Sequence, residues 1–209
     1  AITVPAYTTH QVDDHRYLLA NSGARVAIVS TAPLGQRVVR AADQVDSVEH
    51  VVMIEPLIGG QASSTEVVAL DQVTARGSDE GGDVLAWIAE IQPNDLACLI
   101  YTSGTGGLPK GVMTSHANIL ANCHGAFYLL ELLGLEDEVF LNFLPLSHAY
   151  EHTAGMMFPI YIGASIYFAE GAETLAANMI EARPTIMTAV PRLYETMHQR
   201  LVRMIDRDG

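Results

Sequence analysis

The sequence predicts an α/β fold in which strands and helices alternate along the whole chain and the sheets are mostly parallel. Three observations predict it. Arg25–Ser30 (Arg-Val-Ala-Ile-Val-Ser) and Leu96–Tyr101 (Leu-Ala-Cys-Leu-Ile-Tyr) are short apolar runs without polar alternation, the pattern of strands covered on both faces. Helix-length segments with capping and stop residues separate such runs. The composition, 49% hydrophobic and 17% charged, suits a packed core and is too apolar for disorder.

The elements follow in order. Ile2–Val4 reads as a short strand. Asp13 is placed to cap a helix with Tyr17, Leu18 and Leu19 on its apolar side, which Gly23 ends. Strand Arg25–Ser30, helix Pro33–Ala42 and strand His50–Ile54 make a β-α-β-α-β beginning. Pro56–Arg76 is less regular, with a loop through Gly59, Gly60 and Ser63–Thr65 and a short helix over Val67–Val73. Gly77–Asp83 reads as a polar surface connection and Val84–Ile91 as a helix. Strand Leu96–Tyr101 runs into a glycine-rich loop, and Gly111–Thr114 returns as a strand. A helix then starts at Ser115 or His116 and reaches Leu133, closed by Gly134. Strand Val139–Phe143, helix Ser147–Phe158, strand Ala164–Phe168, helix Ala172–Ala182, strand Thr185–Ala189 and helix Pro191–Asp206 complete the pattern. The uncharged stretch Thr153–Ala169 is interrupted by Gly155, Pro159 and Gly163, and reads as a buried helix, a turn and a strand rather than a membrane span.

Charge narrows the function. The net charge is −13 with 11 basic residues, which argues against a nucleic-acid footprint. An anionic substrate would need a few local cations and backbone N–H groups. Cys98 and Cys123 have no C-x-x-C partner and read as reduced, buried thiols, in keeping with a cytoplasmic setting. The chain opens without Met or a basic-then-apolar leader, and both ends read as cut from a longer protein.

The loop from Thr102 to Lys110 concentrates phosphate-gripping chemistry. Thr102, Ser103 and Thr105 offer hydroxyls to phosphate oxygens or a metal. Gly104, Gly106 and Gly107 allow positive φ and close approach, and successive N–H groups in such a turn form an anion nest. Lys110 supplies positive charge in an acidic chain. The Walker A pattern does not fit, because Pro109 precedes the lysine and Gly111 follows it. Flanking apolar runs make this a hairpin loop rather than one that opens a helix.

Tyr101-Thr-Ser-Gly-Thr-Gly-Gly-Leu-Pro-Lys-Gly-Val112 resembles the signature loop of the adenylate-forming superfamily: acyl-CoA synthetases, adenylation domains of peptide synthetases, and luciferase. The usual form is Y-T-S-G-T-T-G-x-P-K-G-V. It departs at Gly106, where Thr or Ser is usual, which removes one hydroxyl. Asn142-Phe-Leu-Pro-Leu-Ser-His148-Ala-Tyr150-Glu151, Ala189-Val-Pro-Arg192-Leu-Tyr194-Glu195 and the opening Val4-Pro-Ala-Tyr7-Thr8-Thr9 are similar to the long-chain fatty acyl-CoA synthetase branch.

The resemblance implies the two-sheet N-terminal domain of that superfamily, with residues 1–122 as a first αβ sub-domain and 123–209 as part of a second. It implies ATP, Mg2+ and CoA as reaction partners and a fatty carboxylate as substrate. Thr102, Ser103, Gly104, Thr105, Gly106, Gly107 and Lys110 would bind nucleotide, with Thr102 a candidate Mg2+ ligand and Lys110 and His148 catalytic. The adenine segment, the ribose-binding Asp and the C-terminal domain with its catalytic Lys have no counterpart in the sequence. The chain alone is therefore expected to be inactive and prone to self-association. Peripheral membrane contact is compatible with the apolar stretch.

Two alternatives compete: a nucleotide-binding module without catalysis, and a zinc hydrolase. The second rests on His148-Ala-Tyr-Glu151-His152, which spells H-x-x-E-H and would set two imidazoles on one helix face to bind zinc, with Glu151 as base and Glu170 or Glu173 as a third ligand. His152 reads better as a core histidine. His116 reads as a helix-start residue, His124 as a half-buried helix residue, and Glu136-Asp137-Glu138 as a solvated turn.

Overall fold

The computed structural model describes residues 1–57, 63–80, 82–103, 107–195, 198, 199 and 202. The chain divides into two compact units, Ala1–Ala117 and Asn118–Gly209.

The first unit opens with α1 (Val12–Ser22), β1 (Val26–Val29), α2 (Ala32–Ala42) and β2 (His50–Met53). The cap of α1 is Gln11, not Asp13: the Asp14 carboxylate accepts the Gln11 N–H at 2.9 Å, one half of a capping box. Asp13 instead pairs with Arg16 at 3.2 Å. Gly23 ends the helix at φ 65°, as its type predicts. Pro33 sits in the first turn of α2, where its missing N–H costs nothing. The helix then buries Val38, Val39, Ala41 and Ala42 against β1 and β2, forming a core with Leu19, Val29, Val51 and Met53. β1 and β2 are parallel, in register from Val26↔His50 to Val29↔Met53.

The segment Val67–Val73 departs from the helix its sequence predicts. Glu66–Ala69 is strand β3, parallel to β2 from His50↔Glu66 to Met53↔Ala69. α3 (Leu70–Glu80) starts only after it and runs through Gly77, which the sequence assigns to a surface connection. The β-branched Val67 and Val68 fit the pleat beside β2, and that tertiary pairing outweighs a short helical pattern. Asp43, at the end of α2, ties down the approach to β3. Its Oδ1 accepts from Ser63 Oγ (2.7 Å), Ser64 N–H (2.9 Å), Ser64 Oγ (3.0 Å) and Thr65 N–H (3.1 Å). Burial pushes this carboxyl up, but the hydrogen bonds from Ser63, Thr65 and Ser64 hold it below the usual carboxylate range.

After α4 (Val84–Glu90), capped by Asp83 on the Ala86 N–H (3.0 Å), comes an antiparallel hairpin of β4 (Leu96–Thr102) and β5 (Lys110–Ser115). The predicted strand Ile2–Val4 is reduced to one parallel bridge, Thr3↔Cys98. Thr3 N–H donates to the Ala97 carbonyl and the Thr3 carbonyl accepts the Leu99 N–H.

α5 (His116–Glu131) leads into the second unit, and Gly134 follows at φ 79°. β6 (Val139–Asn142), β7 (Ser165–Phe168) and β8 (Ile186–Met187) form a parallel sheet in the order β7-β6-β8. The period of two along β6 builds both of its cores. Phe140 packs with Cys123 and Phe158, and Leu141 packs separately with Leu175 and Leu193. The helix predicted over Ser147–Phe158 is α6 (Ala149–Glu151), a π-helical stretch His152–Met157 and α7 (Phe158–Ile162). α8 (Leu175–Ala182) follows β7. Residues 191–195 are helical; residues 196, 197, 200, 201 and 203–206 of the predicted last helix lie outside the described residues. Both cysteines are buried and free. No helix among the described residues is long and apolar enough to cross a membrane.

Candidate functional site

The predicted phosphate loop joins the two strands of the β4–β5 hairpin. Thr102 ends β4 directly opposite Lys110, which begins β5. Thr102, Ser103, Gly107 and Lys110 are all exposed. Gly107 has φ 123°, a conformation that L side chains rarely adopt. Gly104, Thr105 and Gly106 lie outside the described residues. No ion pair occupies Lys110 among the described residues, so its charge is available to an anion.

Aromatic side chains brace the base of the loop. The Tyr101 hydroxyl donates to Asn21 Oδ1 at 2.7 Å, and the Tyr17 hydroxyl donates to the Pro109 carbonyl at 2.8 Å. The two rings meet edge to face, 6.3 Å apart at 86°. Tyr101 lies over Gly111, its cross-strand partner; a Cβ there would sit 3.0 Å from the ring. Burial, with Tyr17 next, pushes the Tyr101 phenol up. Sequence reasoning put Tyr17 on an apolar helix face and missed Asn21. Their spacing of four residues on α1 was the available signal, since it sets both on one face.

His148 lies in the second unit, where it caps α6: its Nδ1 accepts the Tyr150 N–H at 3.2 Å and its own N–H donates to the Pro145 carbonyl at 2.8 Å. An accepting Nδ1 leaves the ring proton of neutral His148 on Nε2. His152 is 4% exposed and has the opposite tautomer, because its Nδ1 faces the Leu146 carbonyl at 3.1 Å and must donate. This is the core histidine the sequence predicts.

Glu151 is 0% exposed. Its carboxyl takes a short hydrogen bond from Thr188 Oγ1, and the nearby Phe143 and Leu144 N–H groups favour its charged form. Desolvation dominates these bonds and raises its pKa. Asn142 ends β6 and Thr188 follows β8, so this polar group lies past the carboxyl ends of parallel strands, where open α/β sheets place ligands. No three His, Cys, Asp or Glu side chains among the described residues are placed to hold a metal, so His148-x-x-Glu151-His152 does not become the zinc site its spacing allows.

The remaining candidates are mostly structural. His116 starts α5, its N–H on the Asp95 carbonyl. His124 is exposed, not half-buried, and its ring meets Tyr161 at 5.4 Å. Glu138, read as part of a solvated turn, accepts from Thr185 Oγ1 and so ties the start of β6 to the residue before β8. That bond, then one from the Glu136 N–H, lowers its pKa.

Known proteins resemble this chain in sequence and in fold. The pattern of the family described as AMP-binding enzyme matches residues 1–206. The chain is 28% identical over 214 residues to the peroxisomal long chain acyl-CoA synthetase 6 of Arabidopsis thaliana, covering 100% of this chain and 29% of that protein. It is 29% identical over 199 residues to the long-chain-fatty-acid--CoA ligase FadD15 of Mycobacterium tuberculosis, covering 95% and 32%. It spans about a third of the length of these curated relatives. Its fold is similar to that of the adenylation domain of a carboxylate reductase from Mycobacterium chelonae (TM-score 0.76, 23% identity, 100% and 34% of the two chains). It is also similar to a long-chain-fatty-acid-CoA ligase, FadD1, from Archaeoglobus fulgidus (TM-score 0.73, 24% identity, 96% and 37%).

Proposed function

The chain belongs to the AMP-binding enzyme family, and on that premise we propose that it serves an ATP-dependent ligase that activates a long-chain fatty carboxylate and passes it to CoA. The carrying observation is the β4–β5 hairpin, which holds Thr102 and Lys110, both exposed, opposite each other at the two ends of the hydroxyl- and glycine-rich loop. The named long-chain relatives favour a fatty acid over other carboxylates.

The proposed reaction has two displacements. A carboxylate oxygen attacks the α-phosphorus of ATP; the bond to the bridging oxygen breaks, and pyrophosphate leaves with the electron pair. The sulfur of CoA then attacks the acyl carbonyl, its proton is released, and AMP departs. Thr102, Ser103, Gly104, Thr105, Gly106, Gly107 and Lys110 would hold the β- and γ-phosphates. Fixed donors aimed at developing negative charge are the largest single source of catalysis in such reactions. Mg2+ would neutralise phosphate charge when bound. Thr102 would be one residue to hold it, being an exposed hydroxyl at the loop's edge. His148, with its proton on Nε2, would donate toward the acyl carboxylate. We assign residues 1–122 to the phosphate-binding sub-domain and 123–209 to the acyl-side one.

The test is pyrophosphate release by the polypeptide that carries this chain, measured with a panel of carboxylic acids. Release dependent on long-chain acids supports the proposal. Release with none of them sinks it.

A further inference from the structure

Two buried oxygens in the second unit lack a donor. Asn142 Oδ1 and Glu151 Oε1 have no hydrogen-bond partner, and both lie 2.8 Å from the point where a Cβ on Gly155 would sit. They therefore converge on one side of the Gly155 backbone. The orientation of the amide is set by Asn142 Nδ2, which donates to the Gly155 carbonyl at 2.6 Å; a carbonyl only accepts, so the amide oxygen must face the other way, toward Glu151. A carboxylate would leave a buried negative charge against a second unpaired acceptor, which is costly. A proton on Oε1 turns one of these two acceptors into a donor and removes the conflict between them.

We propose that Glu151 is held as the neutral acid, its Oε1–H donating toward Asn142 Oδ1, and that this clamp is a positioning residue for His148. Glu151 also takes Thr188 Oγ1 and lies beside the Phe143 and Leu144 N–H groups, so one side chain stands between the end of β6, the loop after it, the segment after β8 and the π-helical stretch. Those contacts fix the first turn of the helix that His148 caps. Desolvation raises the carboxyl pKa, in agreement. Among the described residues the charged side chain that acts on Glu151 is His148, whose positive charge would favour the carboxylate; His152 follows Glu151, with its Nδ1 committed to Leu146. The positioning role rests on the proposed acyl-side role of His148; the protonation does not.

A folded-state pKa above the usual Glu value means stability is complete at low pH and is lost as pH rises through the raised value. Comparing wild type with E151Q and E151A in the purified polypeptide that carries this chain tests this. E151Q reproduces the acid's donor and acceptor. It should keep Tm within about 3 °C in acid and lose the wild-type fall that sets in as pH rises above the ordinary Glu range, while E151A drops by about 5–10 °C in acid. Infrared spectra at neutral pH should show a protonated-carboxyl carbonyl band in wild type that E151Q lacks. No such band, with E151Q and wild type sharing one pH slope, overturns the protonation. In adenylation assays E151A should lower kcat about tenfold with KM for ATP unchanged, and E151Q by no more than about twofold; wild-type kcat in E151A overturns the positioning role. An inactive wild type would defeat the ligase reading instead, and leave the carbonyl band to decide the protonation.

Discussion

Lys110 is the residue on which the proposed chemistry depends most. It is exposed and unpaired among the described residues, so K110A should leave folding unchanged while lowering the adenylation rate about 10²–10³-fold, the usual cost of one donor to transition-state charge. Single-turnover pyrophosphate release, beside an unaltered unfolding curve, checks both halves. His15 carries an unrelated sensitivity. Burial, then His10 and Arg37, lower its pKa to about 4, against an opposing pull from Asp14. A folded pKa below the unfolded one gives stability that is fully present above about pH 6.5 and is lost as pH falls toward about 4. Urea midpoints followed across that range should drop in wild type and flatten in H15L. At this scale the place of Thr102 and Lys110 at the two ends of a hairpin loop was readable in sequence, because glycines and flanking apolar runs act locally. Glu151 was readable only as a motif residue and as the base of a zinc site, since its meaning comes from Thr188 and Asn142, distant in sequence.

The hairpin and the first parallel sheet differ in how far local sequence determines them. β4 and β5 are flanked by apolar runs and joined by turn chemistry, so hairpin and loop were both legible. Gly111 adds a cross-strand requirement: G111A would press a methyl group onto the Tyr101 ring at 3.0 Å and should cost about 1–3 kcal/mol by denaturant unfolding. A larger loss of adenylation than of stability would follow if Tyr101 and Asn21 align the loop. β3 was not legible. Its four residues are too short to show a period, and it becomes a strand by pairing with β2. Asp43 supports that pairing through Ser63, Ser64 and Thr65, so D43A should destabilise by about 1–3 kcal/mol. Because the folded Asp43 pKa is lowered, its contribution is present at neutral pH and lost as pH falls through the folded value; the D43A unfolding curve should therefore converge on wild type in acid. The π-helical stretch is another tertiary effect, placed where Gly155 lets Asn142 and Glu151 approach the helix backbone.

Over the whole molecule, α/β alternation and family membership were legible because apolar runs, caps and the Tyr101–Val112 motif are local. The division between Ala117 and Asn118 reflects contacts that no short window contains. Exposed Leu85, Leu133 and Ile180, at 78%, 80% and 78%, leave apolar surface uncovered. We expect the 209 residues alone to self-associate and to lack turnover, with activity requiring the greater length of the relatives. The most direct measurement of the ligase assignment is mass-spectrometric detection of acyl-adenylate after mixing the polypeptide that carries this chain with ATP, Mg2+ and a long-chain fatty acid in the absence of CoA. Acyl-AMP should form with wild type and fall about 10²–10³-fold with K110A. No acyl-AMP from wild type, or equal amounts from K110A, would contradict the assignment.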